Sequence, residues 1–169
     1  AIVGALLASQ GLSSAQEGGA RADYRIVAHL DGPSKRLTGD LELRWTNASG
    51  EAVEELWFHL YLNAFSNNRS SHLVESQGKL RNKEMSAGWG WSRIQAIQVA
   101  DGVQGMFQDV LPTLAYQRPD DGNEEDRTVF SIRLPKALPT GETLRVQIQW
   151  EAQLPRVRRR TGYKDDFLL

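Results

Sequence analysis

Between Arg36 and Asn47 the side chains alternate without a break. Leu37, Gly39, Leu41, Leu43 and Trp45 fall on one side of an extended chain, and Thr38, Asp40, Glu42, Arg44 and Thr46 on the other. Successive strand side chains point to opposite faces, so this stretch specifies a ribbon with one buried and one wet face. Such a ribbon belongs to an antiparallel sheet packed on one side. Glu142 to Ala152 repeats the pattern, with Leu144, Val146, Ile148 and Trp150 inward and Arg145, Gln147, Gln149 and Glu151 outward. Tyr24 to Asp31 is a further strand, with Tyr24, Ile26, Ala28 and Leu30 on one face. Gly32-Pro33-Ser34-Lys35 supplies the turn that pairs it with the next strand as a hairpin.

The densest apolar run after the N-terminal leader is Val53 to Asn67. Leu56, Phe58, Leu60 and Leu62 share one face, and Trp57, His59 and Tyr61 the other. Large side chains on both faces predict a central strand covered on both sides, broken at Asn63. Arg93 to Val99 and Thr128 to Leu134 read as strands, the first turning at Asp101-Gly102. Pro135 to Gly141 reads as a proline-bounded connection, and Met106 to Ala115, with Pro112 inside it, as weak strand or loop. Ser70 to Met85 leaves room for a short helix only, because its apolar positions are sparse and Gly78 interrupts them. Strand-like segments separated by Gly and Pro turns define an all-β protein, an antiparallel β-sandwich with little helix.

The 169 residues, 40% hydrophobic and 24% charged, suffice for one domain with a real core. A net charge of −1 gives no reason to expect a nucleic acid or an anionic membrane as partner. Absence of cysteine excludes disulfides, thiolate metal sites and thiol catalysis together. Ala1 to Ala15 is a short apolar core followed by small residues, the make-up of a secretory signal peptide remnant; a short buried helix is the alternative. The apolar core is too short to span a bilayer, which takes about 20 residues. The leader predicts export, to a periplasmic, extracellular or membrane-associated location. The expected organisation is leader 1–15, linker 16–22, β domain 23–155 and a basic segment 156–169.

Chemistry is harder to find than structure. His29, His59 and His72 stand in no metal-binding spacing, and there is no His-Glu-x-x-His helix, no Gly-x-Ser-x-Gly elbow and no phosphate loop. No catalytic residue, metal ligand or cofactor-binding residue is therefore assigned. The acidic stretch Arg118 to Arg127 lacks the ligand order of a calcium loop and reads as a solvated turn. Trp89 and Trp91, on the glycine-rich stretch Ala87 to Trp91 that reads as flexible backbone, are the candidate contact residues. They could stack on a sugar, a peptide or a neighbouring domain, or simply cover one end of the sandwich. Arg156, Arg158, Arg159, Arg160 and Lys164 form a basic run suited to phosphate, to solvent or to an acidic neighbouring domain.

The ordered set of segments is more telling than any one residue. A strand opening on Tyr24, then Leu37-Thr38-Gly39-Asp40-Leu41-Glu42-Leu43-Arg44-Trp45-Thr46-Asn47, then Leu56-Trp57-Phe58-His59-Leu60-Tyr61-Leu62-Asn63 resembles the start of the aminopeptidase N-like zinc metallopeptidases. Leu134-Pro135-Lys136-Ala137-Leu138-Pro139-Thr140-Gly141 is similar to a connection in the same family, and Trp150 and Arg160-Thr161-Gly162-Tyr163 follow in order. The resemblance covers Ala22 to Tyr163 and is greatest to a bacterial, often membrane-linked subgroup. It implies a saddle-shaped N-terminal β domain packed beside a catalytic domain that follows in the chain and holds the zinc, the glutamate base and the exopeptidase segment. This chain would then be a fragment whose partners are its own catalytic domain and, through it, a peptide substrate. A free-standing secreted module binding carbohydrate or protein through Trp89 and Trp91 is the alternative.

Overall fold

A computed structural model describes residues 22–77, 79–80, 83–84, 87–156, 161–165 and 167–168. The strands are β1 (Ala22–Asp31), β2 (Arg36–Thr46), β3 (Val53–His59), β4 (Lys79–Leu80), β5 (Lys83–Glu84) and β6 (Trp91–Asp101). They continue with β7 (Gln108–Asp109), β8 (Ala115–Gln117), β9 (Val129–Leu138), β10 (Thr143–Gln153), β11 (Tyr163–Lys164) and β12 (Phe167–Leu168). One sheet has the order β1-β2-β10-β6-β7 and the other β3-β9-β8; β4-β5 and β11-β12 are two-stranded. All the ladders of the two main sheets are antiparallel. The chain is an all-β sandwich.

The register shows why the alternating stretches matter. Tyr24 lies opposite Leu43, Leu43 opposite Val146, and Val146 opposite Val99, so one row of apolar side chains crosses the larger sheet. Ile26, Leu41, Ile148 and Ile97 form the next row. A bulge between Gln149 and Trp150 then shifts the pairing, and Ala28, Gly39, Trp150 and Ile94 form a third. A Cβ at Gly39 would lie 2.5 Å from the Trp150 indole, so the missing side chain is the space the ring occupies. From the smaller sheet, β9 sends Phe130, Ile132 and Leu138 into the same core, and Phe58 stacks on Phe130 at 5.1 Å.

Three expectations are corrected by the fold. The run at Val53 to Asn67 is not a central strand: β3 is the edge of its sheet, β9 is the centre, and the strand ends at His59. Leu56, Phe58 and Leu60 pack on the core as read, but Trp57 is 52% exposed and Tyr61 76%. Local pairings keep these rings on the wet side. The Trp57 indole N–H donates to Glu55 at 3.0 Å, and His59 stacks on Tyr61 at 3.9 Å. The chain then turns into a short 3-10 helix, Tyr61–Phe65.

The stretch from Pro135 is also not a plain connection, because β9 runs through it to Leu138. Pairing with β3 jumps from Arg133 opposite Glu55 to Leu138 opposite Val53, so Pro135 sits in a bulge where no ladder donor is required. Nor is Ala87 to Trp91 an untied segment. Gly90 N–H donates to Phe65 O at 3.0 Å, and a Cβ on Gly90 would lie 2.5 Å from Pro155. Gly88, at φ +73°, accepts from Arg156 N–H at 2.9 Å. These glycines serve close approach and a left-handed turn rather than mobility. The short helix expected after Ser70 is Ser71–Glu75. The leader 1–15, the linker up to residue 21 and Arg158, Arg159 and Arg160 of the basic run lie outside the described residues.

Candidate functional site

The most prominent surface is made by what the smaller sheet fails to cover. Every residue of β1 is exposed, those of its inner face included. Tyr24 is 61% exposed and Ile26 56%, although both continue the rows that are buried further in. Between β1 and β3 lies a groove of about 420 Å³ with Tyr24, Ile26, Leu41, Trp57, Leu60 and Trp150 among its lining residues. Alternation placed Tyr24, Ile26, Ala28 and Leu30 on an inward face, yet all four are exposed. Contiguous exposed apolar surface of this kind marks a place where another structure packs.

The residues singled out from the sequence are not gathered at that groove. Trp89 packs with Phe65 against Leu73, which is fully buried, in a small second cluster. Trp91 opens β6, and its ring lies 5.6 Å from the Arg36 guanidinium and 4.8 Å from that of Arg93. Glu151 pairs with both arginines, at 3.7 and 3.6 Å. The two indoles are thus engaged separately, one by an apolar cluster and the other by cations.

His29 lies on β1 opposite Thr38, His59 stacks on Tyr61, and His72 meets Phe65 edge-on at 5.6 Å. No three His, Asp or Glu side chains among the described residues converge to hold a metal ion. The described residues therefore do not fit a zinc centre.

The acidic stretch is tied down by its own carboxylates. Asp126, 8% exposed, accepts hydrogen bonds from the Thr128 amide at 2.8 Å and hydroxyl, and from the Ser71 amide at 3.0 Å. Glu125 pairs with Arg69 at 3.0 Å, and Asn123 donates to Arg69 O at 2.7 Å. Burial pushes the Asp126 carboxyl up, but the Thr128 and Ser71 donors outweigh it and hold the group below its ordinary value. A carboxylate depressed on folding stabilises the fold above its unfolded pKa, near 3.9, and that contribution is lost as pH falls through the folded value. The expected outcome is that Asp126→Asn lowers stability at pH 7, and that the gap to the wild type closes progressively below pH ~4. Urea unfolding at a series of pH values reads it; a gap independent of pH would contradict the assignment.

Two asparagines read only as the end of an alternating stretch and as a pattern break turn out to be buried junctions. Asn47 donates to Leu138 O and Glu51 O, both at 2.9 Å, and accepts from the Ser49 amide and hydroxyl. Its backbone carbonyl accepts from Gly141 N–H at 2.7 Å, where φ is +82°. Asn63 donates to Arg127 O at 2.8 Å and accepts from Ser92 N–H at 2.6 Å. Both stand in the segments that carry the family resemblance, as do Gly39, Leu138 and Gly141. Those segments meet in space to build the scaffold.

No family model and no curated protein matches this sequence. Among solved structures, an M1 zinc metallopeptidase from Deinococcus radiodurans is similar at 15% identity and a TM-score of 0.44, over 86% of this chain. This chain spans 23% of that one. The CBM3a-L domain of a cellulosome scaffoldin from Clostridium thermocellum is similar at 11% identity and a TM-score of 0.35, over 90% of this chain and 81% of that one. Fold and surface together define a β-sandwich with one inner face left partly open.

Proposed function

We propose that this chain is a non-catalytic N-terminal β domain of an exported aminopeptidase N-like zinc metallopeptidase, docked on the catalytic domain through the open face of β1 and β2. The observation that carries the reading is that face: Tyr24 and Ile26 extend the core rows but have no second sheet above them among the described residues. The ordered sequence resemblance adds the kind of neighbour. Peptide-bond hydrolysis at a substrate's N-terminus would belong to that neighbour, zinc included, and this domain would wall one side of the cleft. Attachment of the parent to a membrane fits the subgroup it resembles. Sequencing the gene past the codon for Leu169 tests the proposal. A continuous frame encoding His-Glu-x-x-His is expected, and a stop codon near Leu169 would end the reading.

The competing function is a free-standing module that binds carbohydrate or protein through Trp89 and Trp91. It requires Trp91→Ala to abolish binding of a soluble glycan or protein ligand, read as loss of ligand-induced tryptophan quenching.

A further inference from the structure

The outer edge of β1 is a different surface from the open face, and it points to a different partner. We propose that two copies of this chain pair antiparallel along β1, with Ile26 on the two-fold axis. β1 is 10 residues long, runs in unbroken register with β2, and lies at the end of its sheet, paired as a strand with β2 alone among the described residues. It contains no proline and no bulge, and the charges it does carry, Asp23, Arg25 and Asp31, are the groups a pairing must match. The opposite edge of the same sheet is handled differently. Short β7 covers Gln98 and Val99, Val110 N–H donates to Ile97 O, and Asn63 takes Ser92 N–H.

The sequence of β1 selects the second copy and its register. A two-fold pairing keeps apolar side chains on one face only when the axis passes through a residue, because a one-residue slip exchanges the faces. Axes at Ile26 and at Val27 give the longest ladders, Ala22 to Leu30 and Asp23 to Asp31; an axis at Ala28 shortens the ladder to Arg25 to Asp31. The Val27 axis sets Asp23 against Asp31 of the second copy twice over, and like charges directly opposite are unfavourable. The Ile26 axis sets Asp23 against His29, Tyr24 against Ala28, Arg25 against Val27 and Ile26 against itself. Acid then meets base, and the large ring meets the smallest side chain. The result is an isologous contact in which two five-stranded sheets become one.

The full chain tests this without modification, because it has no cysteine to confuse the chemistry. Sedimentation of the wild type across a concentration series is expected to shift from 18.9 kDa to twice that mass. Val27→Lys sets a lysine against Arg25 of the second copy at two places and is expected to hold the chain at the monomer mass. Val27 is 56% exposed and lies off the open inner face, so at concentrations where the wild type is monomeric the two thermal midpoints should coincide. Ile26→Cys places two thiols across the axis, where opposed Cα atoms of an antiparallel pair are about 4.5–5.5 Å apart, within disulfide reach. It should form a covalent dimer under mild oxidation far faster than Val103→Cys, an exposed control beyond the end of β6. A wild type that stays monomeric, a Val27→Lys variant that dimerises like the wild type, or equal cross-linking at the two positions would each overturn the proposal. None of these outcomes bears on docking through the inner face.

Discussion

Asn47→Ala is expected to lower the unfolding free energy by about 1–3 kcal/mol, the cost of leaving a buried hydrogen-bonding group unpaired. Alanine would strand the buried Leu138 carbonyl and take one partner each from the Glu51 carbonyl, which keeps the Ser49 hydroxyl, and from the exposed Ser49 amide. Asn47 itself is fully buried, so water cannot replace the lost amide without opening the junction of β2, β3 and the turn from β9 to β10. Urea unfolding followed by tryptophan fluorescence measures the change. Asn47→Asp sharpens the test, because a carboxylate keeps the acceptor facing Ser49 but cannot donate to Leu138 or Glu51. It should be destabilised too, and a wild-type midpoint for either variant would show that the junction carries no weight.

Phe130→Ala is expected to cost about 3–5 kcal/mol, the range for removing a buried phenyl ring from a packed core. Phe130 is 1% exposed, sits on the central strand of the smaller sheet and stacks on Phe58. Its loss would open a cavity where the two sheets meet. Trp57→Ala is the informative contrast. The indole is larger but half exposed and lies on the wet face of an edge strand, so its removal should cost about 1 kcal/mol or less. Had β3 been covered on both sides, the two substitutions would cost similar amounts. The difference in chemical-denaturation midpoints between these variants therefore reports which reading of the strand is correct.

The contrast also shows what could be read in the chain before any coordinates. Where alternation is one-sided, as in β2 and β10, pattern and fold agree residue by residue, because only one face has apolar side chains to bury. In β3 both faces carry large rings, and composition does not say which is covered; Glu55 and Tyr61 hold Trp57 and His59 on the wet side through contacts within the strand and just past its end. Asn47 and Asn63 were opaque for another reason. Their partners Leu138 and Arg127 lie 91 and 64 residues away in sequence, beyond the reach of any local pattern. Gly88 and Gly90 read as loose until Arg156 and Pro155 were seen packed against them. The open groove was hidden most deeply. Alternation says that Tyr24 and Ile26 belong to an apolar face, but the number of strands stacked above that face is a property of topology.

Hydroxyl-radical footprinting of the isolated 169-residue chain beside the full product of its gene addresses the docking face most directly. Tyr24, Ile26 and Trp57 should label readily in the isolated chain and, under the docking proposal, be strongly protected in the gene product. Equal labelling of all three in both would mean that nothing packs on the face, and the docking account would be wrong.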